Sequence, residues 1–301
     1  MFNPQSDHPS TLDDLLEAFI QEQQYRGNSP ATLGWYRKIL ELLRRSGVHT
    51  AQDFTRHNIM RFILAARERG LSISTLRNYD RALRGVCNWL HRNGYLSQNP
   101  MSGLPRPKGQ ERQVQPFTVA DIERILTSAR SSELPLRNTA LVLILLDTGI
   151  RSGEACNLTL RDVDWVEGLL KVRGKTGERL VPFGAKTRRA LQMYLQRERQ
   201  VPNPSVQHVF VAEGRPLEST NLNPIVTKLV RRAGLERAKV GPHTFRHTFA
   251  TSFLRAGGDV FTLQRILGHS KLEITQGYVS LLMGDIQAAH RRFSPVDHLG
   301  K

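Results

Sequence analysis

The sequence predicts a mainly α protein in two parts. An all-α N-terminal domain of four helices is followed by a larger mixed α/β domain with a small antiparallel sheet. Three observations carry this. Apolar residues recur at helical spacing through residues 11–100, with short polar breaks between the runs. A stretch rich in proline, glycine and charge, residues 99–117, has no hydrophobic period. Beyond it, helical patterns enclose two strand-like runs joined by Gly174-Lys175-Thr176-Gly177. The expected boundaries are 1–100 for the helical domain, 101–117 for a linker and 118–301 for the second domain.

In the first domain, Thr11 followed by Asp14 reads as a helix N-terminal box, ahead of Leu15, Leu16, Phe19 and Ile20. Ser29-Pro30 opens a second helix carrying Trp35, Tyr36, Ile39, Leu40 and Leu43, which stops near Gly47. A third is expected from about Thr55 to Gly70, with Ile59, Phe62, Ile63 and Ala66 inward. A fourth, from about Ser74 to Asn93, turns Leu76, Tyr79, Leu83, Val86, Cys87 and Leu90 inward. In the second domain, Thr118-x-x-Asp121 marks another helix start. Helices are expected at about 119–130 and 136–148, then a hairpin of Trp165–Val172 with Glu178–Pro182. A helix at 185–200, a short strand at 207–211 and helices near 219–233, 243–256, 259–267 and 271–281 complete the reading.

The charge balance sets the partner class. With 43 Lys+Arg against 27 Asp+Glu the formal net charge is +16. It is not confined to a tail: residues 1–110 carry 15 basic against 9 acidic side chains, and the other 191 carry 28 against 18. A polyanion is the expected partner, nucleic acid before a membrane surface. Exposed basic residues Arg37, Lys38, Arg44, Arg45, Arg77, Arg81 and Arg84 on the N-terminal helices are candidate phosphate contacts, as are Arg106, Lys108 and Arg112 in the linker. No apolar run reaches the roughly 18 residues of a membrane span, and Met1–Thr11 has no apolar signal segment, so a cytoplasmic protein is expected. Two cysteines, Cys87 and Cys156, both in apolar helical patterns, exclude a disulfide scaffold and a cysteine-built zinc site.

Four stretches carry chemistry. In Leu146-Asp-Thr-Gly-Ile-Arg151-Ser-Gly-Glu154, a glycine ends one helix and Arg151 starts the next, where a guanidinium suits a phosphate. Lys175 sits in the hairpin turn; its Gly-Lys-Thr lacks the earlier glycine of a nucleotide-binding P-loop, so an ATP site is not expected. In Gly241-Pro-His243-Thr-Phe-Arg246, a histidine and an arginine three residues apart share one helical face and can converge on one anion. Finally, Leu267-Gly-His269 is followed nine residues later by Tyr278. Each alone also reads as ordinary structure: a surface charge, a solvated turn, a capping histidine, a packing tyrosine.

Together, in this order and spacing, these motifs resemble the tyrosine recombinases, or phage-integrase family, and most closely its Xer-type members, over roughly residues 11–293. The resemblance implies a SAM-like DNA-binding fold for the N-terminal helices and a catalytic role for the second domain. It implies that Arg151 and Arg246 clamp a scissile DNA phosphate, with His243, His269 and Lys175 around it, Tyr278 as nucleophile and Glu154 orienting the site. Ser152-Gly153 departs slightly from the family's usual apolar and small pair. The implied reaction passes through a 3′-phosphotyrosyl link and needs no metal and no ATP. Consistently, no Asp/Glu cluster shows metal-ligand spacing. The implied partners are double-stranded DNA and, in a four-protomer synapse, further copies exchanging a C-terminal helix (Leu282, Ile286, Ala289, Phe293), with a partner recombinase left open. A DNA-binding regulator that has lost catalysis, a topoisomerase-like monomer and a metal-dependent nuclease are the competing readings.

Overall fold

Each of the four α-helices described in the N-terminal part begins where a hydroxyl can take a free first-turn amide. Thr11, Ser29, Thr55 and Ser72 accept hydrogen bonds from the backbone N–H three residues on. They start α1 (Leu12–Tyr25), α2 (Pro30–Arg45), α3 (Arg56–Glu68) and α4 (Ile73–Arg92). The computed structural model describes residues 11–109, 114–174, 177–236 and 240–268. It divides into two units, Met1–Gln113 and Val114–Lys301, each with its own core.

In the first unit the inward stripes of the four helices meet around Phe19, Ile20, Leu40, Leu43, Ile59, Phe62, Leu83 and Leu90. Phe19 stands edge-on to Tyr36 and Trp89, with ring centroids 5.0 and 5.7 Å away. The chain from 101 to 109 has no regular structure, yet it is held to this unit. Met101 is buried in its core. Arg84, paired with Asp80 at 2.9 Å, donates to the carbonyls of Met101 and Leu104 at 3.1 and 2.6 Å. Arg67 and Arg77 donate to those of Lys108 and Pro107. At the other end, Phe117 belongs to the second core. Its N–H donates to Thr248 Oγ1 at 2.9 Å and its ring meets Phe245 edge-on at 5.0 Å. A missing hydrophobic period reports missing secondary structure; it does not report missing tertiary contacts.

The second unit contains α5 (Val119–Arg130), α6 (Pro135–Thr148), α7 (Ser152–Cys156), β1 (Val163–Asp164), β2 (Leu169–Gly174), β3 (Gly177–Pro182) and α8 (Ala185–Arg197). After these come β4 (Val211–Ala212), β5 (Arg215–Pro216), α9 (Ser219–Arg232), α10 (Pro242–Arg255) and α11 (Val260–Leu267). Helix α6 is apolar nearly all round, with Ala140, Leu141, Val142, Ile144 and Leu145 fully buried, because α5, α8 and α10 all pack on it. Strands β1, β2 and β3 form one antiparallel sheet, with Leu170 opposite Val181 and Val172 opposite Arg179. The protein is thus mainly α with a small antiparallel sheet.

Two strand expectations change. The run Trp165–Val172 is not one strand. Asp164 Oδ1 accepts the N–H groups of Val166 and Glu167, both at 2.9 Å, and Gly168 takes a left-handed φ of +69°, so a tight turn separates β1 from β2. The strand expected at 207–211 is reduced to a single bridge between Thr159 and His208 and to the β4–β5 hairpin. Glu213 and Gly214 turn that hairpin with φ of +50° and +73°, the positive pair that tight hairpins require. The helices expected at 271–281 and beyond Leu281 lie outside the described residues.

Candidate active site

The site is assembled where α6 stops. Gly149 caps it in the left-handed conformation, φ +62°, and a β-carbon there would collide with the Phe249 ring and the Leu267 side chain. Only glycine closes the turn this near to α10 and α11. Ile150 then drops into the core, and Arg151 is left as the N-cap of α7.

Glu154, one turn into α7, is buried at 5 % exposure and organises this corner. Its carboxylate accepts the Arg151 N–H at 2.8 Å and Arg151 Nη1 at 2.9 Å. Arg179, from β3, meets it with two parallel bonds, Nη1 to Oε1 at 2.9 Å and Nη2 to Oε2 at 2.8 Å. Burial alone would raise the Glu154 pKa, but the Arg179 and Arg151 donors prevail and hold it at about 2. The fit is close: a β-carbon on Gly174, the last residue of β2, would lie 2.6 Å from Glu154 Oε1. The glycine before the Lys175 turn therefore makes room for this carboxylate.

Arg246 lies one turn into α10 and is only 4 % exposed. Its Nη1 donates to the Gly149 carbonyl and its Nη2 to the Leu267 carbonyl, both at 2.7 Å. These carbonyls close α6 and α11, where helices leave acceptors without intrahelical partners and the dipole favours a cation. His243 is in the first turn of the same helix. Its pKa lies below the ordinary histidine value, first through desolvation and then through the charges of Arg246 and Arg151. Burial and the two positive charges thus favour the neutral imidazole at pH 7.

Of the residues singled out in the sequence, the structure thus gathers Arg151, Glu154, His243 and Arg246. Lys175, His269 and Tyr278 lie outside the described residues. Arg179 escaped the sequence reading. Its signal was present, because it alternates with buried Val181 on the inward face of β3 and sits opposite buried Val172. Among the described residues no group of three or more His, Cys, Asp or Glu is arranged to hold a metal ion.

The basic candidates of the first unit divide by what already holds them. Arg84 is committed to Asp80 and the 101–104 carbonyls, and Arg77 donates to the carbonyls of Pro107 and Gly109. Arg37 pairs with Glu17 at 3.1 Å, and Arg44 and Arg45 with Glu41 at 2.9 and 2.8 Å. Arg81 lies over the Trp35 ring, 5.2 Å from its centroid. Lys38, Arg106 and Lys108 are exposed, and Arg112 lies outside the described residues.

A model of the phage integrase family matches residues 115–284. Tyrosine recombinase XerC of Oceanobacillus iheyensis is 33% identical, the match covering 94% of this chain and 97% of the relative. Tyrosine recombinase XerD of Halalkalibacterium halodurans is 28% identical over 95% of this chain and 99% of its own. In fold, a lambda integrase tetramer bound to a Holliday junction superposes with a TM-score of 0.71 at 21% identity, over 89% of this chain and 80% of that one. The chain, whose two charged corners converge around Gly149, belongs to the phage integrase family as a Xer-like tyrosine recombinase.

Proposed function

We propose that the Val114–Lys301 unit cuts and rejoins DNA strands at a specific site through a 3′-phosphotyrosyl intermediate, and that the helical N-terminal domain grips the duplex. Arg151 and Arg246 neutralise the non-bridging oxygens of the scissile phosphate, with His269 as a further donor. Tyr278 attacks phosphorus through its hydroxyl oxygen; His243 accepts the proton, and Lys175 protonates the departing 5′-oxygen. The phosphotyrosine bond keeps the energy of the broken linkage, so rejoining needs no nucleotide hydrolysis. The observation that supports this best is the anchoring of Arg246 and Arg151 on either side of one glycine turn, with the charges of both depressing the pKa of His243. Preorganised donors of this kind are the main resource of phosphoryl-transfer sites.

Lys38, Arg106 and Lys108, with Arg37, Arg44, Arg77, Arg81 and Arg84, supply contacts to the DNA backbone, and Arg77 and Arg84 also hold the 101–109 segment. Assembly on DNA is a four-protomer synapse with exchange of the C-terminal helix, and the working location is the nucleoid. A second, partner recombinase is compatible with this scheme.

Incubating the protein in EDTA with a nicked suicide duplex that carries its site tests the reading. A covalent protein–DNA adduct is expected on a denaturing gel, with the nucleotide mapped by mass spectrometry to the Tyr278 peptide. No adduct, or one on another residue, would sink it. The depressed His243 pKa adds a pH prediction. The cleavage rate of bound enzyme should fall only below the ordinary histidine range of about 6.5, as the base becomes protonated. That acid limb should vanish in His243→Gln; an unchanged limb there would remove His243 from the base role.

A further inference from the structure

The contacts around the two arginines form a closed circuit. Arg151 binds Glu154, Glu154 binds Arg179, and Arg179 Nε donates to the Ile266 carbonyl at 2.7 Å. The next carbonyl, Leu267, accepts from Arg246, whose other nitrogen returns to Gly149, two residues before Arg151. Four separate elements are tied by this circuit: the α6–α7 turn, β3, α10 and the end of α11. Arg179, like Arg246, bridges two of the other elements from its own. Its side chain also lies flat beneath Gly268, where a β-carbon would sit 3.1 Å from its Cδ, Nε and Nη1.

We propose that Arg179 is a positioning residue for strand cleavage: by closing this circuit it sets the separation and orientation of the Arg151 and Arg246 guanidiniums. It does not touch the phosphate. Its three bonds occupy Nε, Nη1 and Nη2, each aimed at Glu154 or Ile266. Lysine cannot reproduce that fork, since one ammonium cannot serve a carboxylate bidentately and a carbonyl on another element together. Misplacement by about 1 Å in a site of this kind costs on the order of a hundredfold in rate. The proposal rests on the assignment of Arg151 and Arg246 to the phosphate.

The test compares wild type, Arg179→Gln and Arg179→Lys at saturating concentrations of a suicide duplex that the wild type cuts. Two versions are used: the ordinary phosphodiester, and a methylphosphonate with one non-bridging oxygen replaced by a neutral methyl group. Both variants are expected to bind DNA within about twofold of wild type and to form adduct 30- to 100-fold more slowly on the phosphodiester. On the methylphosphonate, which carries no charge for two guanidiniums to share, the gap should shrink to less than about fivefold. A general weakening of the fold would slow both substrates alike. Wild-type cleavage by the variants, or an equal loss on both substrates, overturns the positioning role. If Arg179→Gln fails to fold, Arg179→Lys, which keeps the buried charge, gives the same comparison. Failure of the wild type itself to form adduct would strike the proposed function and not this inference.

Discussion

Arg246→Ala is expected to slow strand cleavage on the order of a hundredfold and also to loosen the fold, whereas Tyr278→Phe stops cleavage alone. Phenylalanine lacks the attacking oxygen, so no covalent adduct forms while DNA binding stays at the wild-type level. In the proposed mechanism Arg246 does two things at once. As a preorganised donor to the transition state, its loss costs about 3 kcal/mol in activation, on the order of a hundredfold. As a buried cation on the Gly149 and Leu267 carbonyls, its removal leaves both acceptors without that partner, at about 1–3 kcal/mol each. Urea unfolding should therefore show a loss of about 3 kcal/mol for Arg246→Ala and none for Tyr278→Phe. Arg246→Lys should recover little of either, because an ammonium cannot span two carbonyls at fixed guanidinium geometry. Equal stability of Arg246→Ala and wild type would contradict the anchoring described here.

Glu154→Gln carries the second large effect, on stability and its pH dependence. The carboxylate accepts four hydrogen bonds from Arg151 and Arg179 in a buried corner, and the amide turns one acceptor into a donor facing arginine nitrogens. Breaking a buried pair by removing one charge costs about 3–5 kcal/mol, here chiefly from leaving Arg179 charged at 12 % side-chain exposure. The acid dependence has a definite sign. With its folded pKa at about 2 and an ordinary value of 4.5, Glu154 binds its proton more readily when unfolded. Its contribution, about 3 kcal/mol, is complete above pH 4.5 and is lost as pH falls toward 2. The stability gap between wild type and Glu154→Gln should thus narrow between pH 7 and pH 3 in urea titrations. A gap of constant size across that interval would mean that the pair does not hold the carboxylate ionised.

Much of the local architecture is legible in the sequence because its causes are local. Hydroxyl caps at Thr11, Ser29, Thr55, Ser72 and Thr118 start helices by bonding amides three residues away, and the apolar stripes that follow give those helices their buried faces. Gly149 and the order of Arg151, His243 and Arg246 are readable for the same reason, as short motifs with a helix start or stop beside them. Errors fell where a short-range turn interrupted an apolar run. Asp164 and Gly168 split one expected strand into two, and Glu213-Gly214 shortened another to a hairpin tip.

The sequence by itself determined the helical frame, the basic character of both units and the residue types able to grip a phosphate. It could not say which of its many arginines are spent inside the fold. Arg84 holds a chain segment that reads as a linker, Arg179 looks like any strand residue, and Arg246 sits between two carbonyls that close separate helices. Those choices depend on groups 20 to 97 residues away along the chain. Only the tertiary structure decided them, because a guanidinium's role is set by which acceptors surround it, and those acceptors meet only once the cores have packed.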